Sequence, residues 1–190
     1  MATYPVKRSN PRPAQGNAGA FNQIDMPVAV STTINMGDIV KLSSNTAVLA
    51  IAVPGSDYTV TQSGGNLGQI GLAMDGIVTN SSGVDPQGRT SIPVLIWDGN
   101  LEVTLPIVGA DGALTASQSG TTQGDINFGT SYNLANVRLS GASQYFFAIS
   151  AGSPTNGELR KVENSPETTA TETFGAVIVR AVISDTVRQL

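Results

Sequence analysis

The sequence predicts an all-β protein: a compact sandwich- or barrel-like body behind an extended N-terminal arm. Three observations carry this reading. From Met26 onward, apolar and β-branched runs of about 4–8 residues alternate with turn clusters every 8–12 or so. No segment holds a 3.6-residue period for more than about two turns. Residues 1–25 carry Pro5, Pro11 and Pro13, which forbid a regular helix, among loose Gly and Asn.

The elements follow in order. Val28-Ala29-Val30 and Ile34 to Asp38 lead into Ile39-Val40-Lys41-Leu42, then the Ala47 to Val53 run, closed by Pro54-Gly55-Ser56-Asp57. Tyr58 to Thr61 alternates, Ser63 to Asn66 is a loop, and Ile70 to Met74 precedes Asp75-Gly76 and Ile77-Val78. The sharpest signal is a hairpin over 90–107. Ile92, Val94 and Ile96 share one face, as do Leu101, Val103, Leu105 and Ile107, with Glu102 and Thr104 outward. Asp98-Gly99 between them is the pair a type I′ turn prefers. Pro93 lacks an N–H and predicts a sheet edge there. Residues 109–131 read as a long loop or inserted hairpin, and 152–172 as polar and turn-rich. Strands return at Ala135 to Leu139, Tyr145 to Ile149 and Ala176 to Ile183, where Arg180 needs a partner or an outlet to solvent. The domain reading is an arm over 1–25 and a β-rich body over 26–190, with 108–172 a possible inserted or outward-facing lobe. Tyr145-Phe146-Phe147 places aromatics on both strand faces, which suits a strand buried by core on one side and by a neighbouring subunit or second sheet on the other.

Composition narrows the chemistry. The chain has no His and no Cys, so imidazole or thiolate metal sites, Ser-His-Asp triads, Cys nucleophiles and disulfides are excluded. Charged residues are 13%, about half the usual ~25%, so the surface polarity is Ser, Thr, Asn, Gln and Gly, suited to lying against other subunits. Lys7, Arg8 and Arg12 give residues 1–24 a charge of +3, and the rest holds seven basic and fourteen acidic residues. A basic arm on an acidic body suits an acidic groove, while the net charge of −4 argues against nucleic acid. Fully extended, the arm reaches roughly 80 Å, and with a partner it can add a strand. No apolar run approaches the ~20 residues of a membrane helix, and no secretory h-region opens the chain.

Other constellations reduce to structure. Gly64 to Gly68 lacks the following helix and the Lys-Ser/Thr ending of a phosphate loop. Asp75, Asp98 and Asp111 stand in Asp-Gly turns and lack the dense acids of a calcium loop. Asp75, Asp85, Asp98 and Glu102 are the candidates for a two-carboxylate hydrolase, though nothing in their spacing requires it. Trp97, the single Trp, either stacks on a sugar or caps a core, and the cap is favoured. Asn80-Ser81-Ser82 matches a glycosylation sequon.

Gly37-Asp38-Ile39-Val40-Lys41-Leu42, the run Ala47 to Val53, Ile70-Gly71-Leu72-Ala73-Met74-Asp75-Gly76 and Ile92 to Leu105 together resemble the head decoration (cement) proteins of tailed phages. Asn10-Pro11-Arg12-Pro13 looks like the arm such proteins lay across capsid subunits. The resemblance covers less than half the chain. It implies a compact β-barrel or β-tulip domain, usually trimeric, on the outside of a capsid, with no catalysis and no cofactor. The expected function is a structural virion protein, made in the host cytoplasm, that bridges capsomers. Its partners are the major capsid protein and further copies of itself as a homotrimer, and neither nucleic acid nor membrane is expected. Tyr4, Lys7, Arg8, Arg12 and Phe21 of the arm are the expected capsid contacts. The alternatives are a tail or head-fibre module and a glycan-binding β domain.

Overall fold

The computed structural model describes residues 22–64, 67–97, 101–109, 122–141, 144–151, 157–172 and 175–182, together with the backbone of 12–13 and 112–113. Across these residues the protein is all-β, as the patterning predicts. The strands are β1 (Arg12–Pro13), β2 (Gln23–Pro27), β3 (Thr33–Ile34), β4 (Ile39–Ser43), β5 (Thr46–Leu49), β6 (Thr59–Gln62), β7 (Ile70–Ala73) and β8 (Ile77–Val78). Then follow β9 (Ser91–Ile96), β10 (Glu102–Val108), β11 (Gly112–Ala113), β12 (Ser131–Tyr132), β13 (Leu134–Arg138), β14 (Tyr145–Ser150), β15 (Leu159–Asn164) and β16 (Ala176–Ala181), with a 3-10 turn at Gln123–Asp125.

The first sheet runs β2-β9-β7-β4-β5. A parallel bridge from Val28 to Ala47 joins its two ends, so the sheet closes on itself as a small barrel. Period-two alternation fills it. Met26, Val40, Ala47, Ala73, Ile92 and Val94 point inward, and Ile34 and Ile77 of the β3–β8 ribbon join them. The same strands turn Ile39, Ile70, Leu72 and Leu95 outward into the main core. Gly71 is required where β7 meets β9, because a Cβ there would lie 2.5 Å from Val94 Cγ1 and 2.7 Å from the Leu95 carbonyl oxygen.

The larger sheet curls as a half-barrel in the order β11-β6-β13-β14-β10-β16-β15-β12. Among the described residues of this sheet only β10 and β14 pair in parallel, at Ile107–Ile149 and Val108–Ser150. Val103, Leu105, Ile107, Leu134, Phe147, Ile149, Val177 and Val179 line its inner face and pack on the outer face of the barrel. Each such side chain, fully buried, contributes roughly 1.5–3 kcal/mol. On the opposite face Val60, Val108, Ala135, Val137, Phe146 and Ala148 form a separate buried cluster. Phe146 is 6% exposed within the single chain, so its burial needs no neighbouring subunit.

Several expectations are corrected. The hairpin over 90–107 is not one: β9 belongs to the barrel, while β10 lies in the larger sheet between β14 and β16. The chain changes sheets there, and Asp98-Gly99 lies outside the described residues. Thr104 is buried, not outward, because β10 is covered on both faces. Pro93 sits in an interior strand. Leu95 and Trp97 bond toward β7 while Val94 and Ile96 bond toward β2, so the absent Pro93 N–H faces Met74, one residue past the end of β7. The Pro93 carbonyl still accepts from Met74 N at 2.9 Å. The Ala47 to Val53 run is a strand only to Leu49.

The loop-rich stretches carry more structure than their composition indicates. Within 108–172, where the sequence raised an inserted lobe, lie β11 to β15, and Ile126, Tyr132 and Leu159 enter the main core. β15 escaped notice because Lys161 takes one of its two inward positions, beside Leu159. That ammonium is buried, donates to the Gln123 and Ile126 carbonyls at 2.8 and 2.9 Å, and sits 4.6 Å from the centre of the Phe128 ring. Burial holds its pKa below the usual lysine value. Arg180 finds its partner in Glu102, directly across the β10–β16 ladder.

Candidate functional site

The arm is the first place to look for function, and one part of it is described. Arg12 and Pro13 form β1, antiparallel to β10, opposite Thr104 and Val103. On this edge β14 pairs only with the far end of β10, at Ile107 and Val108. The near end is therefore free to take an added strand, and β1 takes it. Pro13 suits such a place because a short peripheral strand needs few donors. The arm ends sooner than expected, since β2 begins at Gln23 and enters the barrel. Tyr4, Lys7, Arg8 and Phe21 lie outside the described residues, as does the side chain of Arg12.

The candidate carboxylates fall into ion pairs. Asp75 and Asp85 come together on one guanidinium: Arg89 Nη1 is 2.6 Å from Asp75 Oδ2, and its Nε is 2.7 Å from Asp85 Oδ2. Asp85 Oδ1 also accepts from the backbone of Gln87 and Arg89. Burial alone would raise the Asp85 pKa, but the Arg89 and Gln87 donors hold it below the usual carboxylate range. Glu102 lies in the other sheet against Arg180, and Asp98 and Asp111 lie outside the described residues. This arrangement clamps the 75–89 loops. Among the described residues no group of three or more acidic side chains is placed to hold a metal.

Trp97 is 3% exposed and its indole N–H donates to the Leu101 carbonyl at 2.9 Å, so it caps the core and offers no stacking face. Asn80 is exposed, but its Oδ1 accepts from Ser82 N and Val84 N, which makes it a turn residue. Gly64 to Gly68 connects strand β6 to strand β7, with no helix after it.

One polar cluster joins the two sheets, and patterning did not single it out. The turn Asn35 to Asp38 places Asp38 beside β14, where Tyr145 donates to Asp38 Oδ2 at 2.5 Å and Asn35 N donates to the same oxygen at 2.7 Å. Asn35 Nδ2 in turn donates to the Tyr145 hydroxyl at 2.7 Å. Burial pushes the Asp38 carboxyl above 3.8, outweighing these hydrogen bonds. Burial and the adjoining carboxylate push the Tyr145 hydroxyl well up. Because the folded state favours the protonated acid, this stabilisation is complete below the unfolded pKa and is lost as pH climbs through the folded one. Asp38→Asn keeps an oxygen for both donors and removes the titration. Urea unfolding is expected to show the variant gaining stability on wild type as pH rises from below the usual aspartate range through the raised folded-state pKa of Asp38. A constant difference across that range would contradict the assignment.

Compared with known protein families, curated proteins and solved structures, the chain matches none.

Proposed function

We propose that this protein is a structural component of a tailed-phage virion that binds the outside of the capsid and ties neighbouring capsomers together. The observation that supports this most is where the resembling segments fall. Gly37 to Leu42, Ala47 to Val53, Ile70 to Gly76 and the start of Ile92 to Leu105 are not scattered. They supply β4, β5, β7 and β9, neighbours in one closed barrel. The arm supports it second: Arg12–Pro13 already forms a strand by edge addition, the mode by which an extended segment would grip a partner sheet.

In this reading Tyr4, Lys7, Arg8, Arg12 and Phe21 make the capsid contacts, the major capsid protein is the partner, and the body assembles as a homotrimer on the virion surface. Linked weak contacts then hold because each raises the local concentration for the next. Co-sedimentation with expanded, undecorated heads tests it. Saturation at a fixed copy number in multiples that fit local three-fold sites is expected, and no binding would remove the proposal. Deleting residues 1–20 is expected to abolish head binding while the circular dichroism of the β body is retained. Normal binding by the truncated chain would show that the arm is not the anchor.

A further inference from the structure

We propose that Arg160 and Arg180 form a clamp for carboxylate groups of a partner protein, on the outer face of the larger sheet. The inference does not rest on the capsid reading. In the β15–β16 ladder Arg160 stands directly opposite Arg180. The same row continues from Arg180 to Glu102 of β10 and from Arg160 to Ser131 of β12. Residues opposite one another in a ladder share a face. Their neighbours decide which face it is. Leu159 and Val179 enter the main core and Ala181 packs against it, so Arg160 and Arg180 point away from it. Both arginines are exposed, Arg180 with 48% of its side chain open to solvent.

The two cations are not equally provided for. Arg180 donates to Glu102 through Nε and Nη2, and both bonds fall on one oxygen, Oε1. Among the described residues the Arg160 guanidinium makes no hydrogen bond and enters no ion pair. One carboxylate therefore serves two guanidiniums, and like charges directly opposite each other destabilise a sheet. The chain has ten basic residues against fourteen acidic ones, so abundance of cations does not explain the pairing. The row lacks one negative charge, and a partner's carboxylate supplies it. Adjacent strands lie about 5 Å apart, so both guanidiniums can converge on one carboxylate, which the planar fork of Arg matches with charge-assisted hydrogen bonds. Ser131, partly exposed at the end of the row, sets a hydroxyl beside Arg160. The row crosses four strands, roughly 14 Å, which suits a short acidic loop or strand. A nucleic acid extends past such a row and meets the acidic excess of the body, seven basic against fourteen acidic residues beyond residue 24.

The test is calorimetric titration of the full chain with end-blocked hexaglutamate at low ionic strength. Saturable heat is expected, and it should vanish near about 1 M salt, where the screening length is about 3 Å. Arg160→Gln and Arg180→Gln are each expected to weaken binding by about tenfold or more, the loss of a charge-assisted hydrogen bond. Lys41→Gln makes the same change of charge on β4, in the barrel, and is expected to leave affinity unchanged. Arg160→Gln carries a second readout. Relief of the like-charge pair is expected to raise the thermal midpoint by roughly 1–3 °C. The clamp is overturned if wild type gives no heat with hexaglutamate, if Lys41→Gln weakens binding as much as Arg160→Gln, or if Arg160→Gln lowers the midpoint. A thymidine oligonucleotide of equal charge that binds as tightly would also overturn it and assign the row to phosphate.

Discussion

Replacing Gly157 with Ala is expected to destabilise the protein by about 3 kcal/mol, the upper part of the range for overpacked sites. A Cβ at this position would lie 2.1 Å from the Tyr132 carbonyl carbon, 2.2 Å from its oxygen and 2.6 Å from its Cα. All three are backbone atoms of β12, so no side-chain rotation relieves the clash. Gly157 stands at the entry to β15, whose Leu159 pairs with Tyr132, and relief would require β12 and β15 to part. Beside that pairing, Glu158 Oε2 accepts from Leu134 N, two residues beyond Tyr132. At roughly 2–4 °C per kcal/mol for a chain of this size, the thermal midpoint should fall by about 6–12 °C. Gly55→Ala is the control, since a Cβ there meets nothing within 4 Å. Equal midpoints for the two variants would show that the β12–β15 contact yields easily.

Gln123→Glu is expected to be still more damaging, by about 3–5 kcal/mol, the cost of an uncompensated buried charge. Gln123 lies in the 3-10 turn and is buried. Its Nε2 faces four oxygens: Ser165 O at 2.9 Å, Thr168 O at 3.0 Å, Thr168 Oγ1 at 2.8 Å and Ala176 O at 3.0 Å. One amide thereby fastens the 165–168 turn and the start of β16 to the 122–126 segment. A carboxylate there would set acceptor against acceptor at the Ser165, Thr168 and Ala176 carbonyls, and only the Thr168 hydroxyl could turn to donate to it. Gln123→Met removes the donors without adding charge and is expected to cost only about 1–3 kcal/mol. The Glu variant should recover part of its loss in acid, where a protonated carboxyl can donate again. If urea unfolding ranks Met below Glu, the shape of the side chain matters here more than its hydrogen bonds.

Both sites show why the stretch from 109 to 172 was hard to read. Patterning looks for apolar residues on the inner face, and here the inner face uses polar ones. Lys161 and Gln123 bury their polar ends because backbone carbonyls of the 122–126 and 165–176 segments wait for them. Those carbonyls are common to every residue type and leave no trace in composition. The candidate site was legible only in part. Proline and charge marked the arm, but not that Arg12–Pro13 would pair with the chain's own β10. The Asp38–Tyr145 tie joins residues 107 positions apart, and the Arg160–Arg180 row gathers residues from four separate strands, so no spacing announced either.

Turn chemistry shows the division most clearly. Asp98-Gly99 carried the hairpin signal, yet the strands on either side of it lie in different sheets. The real two-residue hairpin joins β4 to β5 through Ser44 and Asn45, both at positive φ, the geometry of a type I′ turn without its favoured glycine. The chain alone set most of the longer strands and most of their inward positions, Thr104 and β15 being the exceptions. Alternation with period two is a local property, and it places β4, β7, β9, β10, β13, β14 and β16 within a residue or two. Strand partners, sheet membership and the closure of barrel and half-barrel were decided in three dimensions. Ladder hydrogen bonds are made by backbone groups identical in every strand, so the choice among partners falls to packing across the whole body.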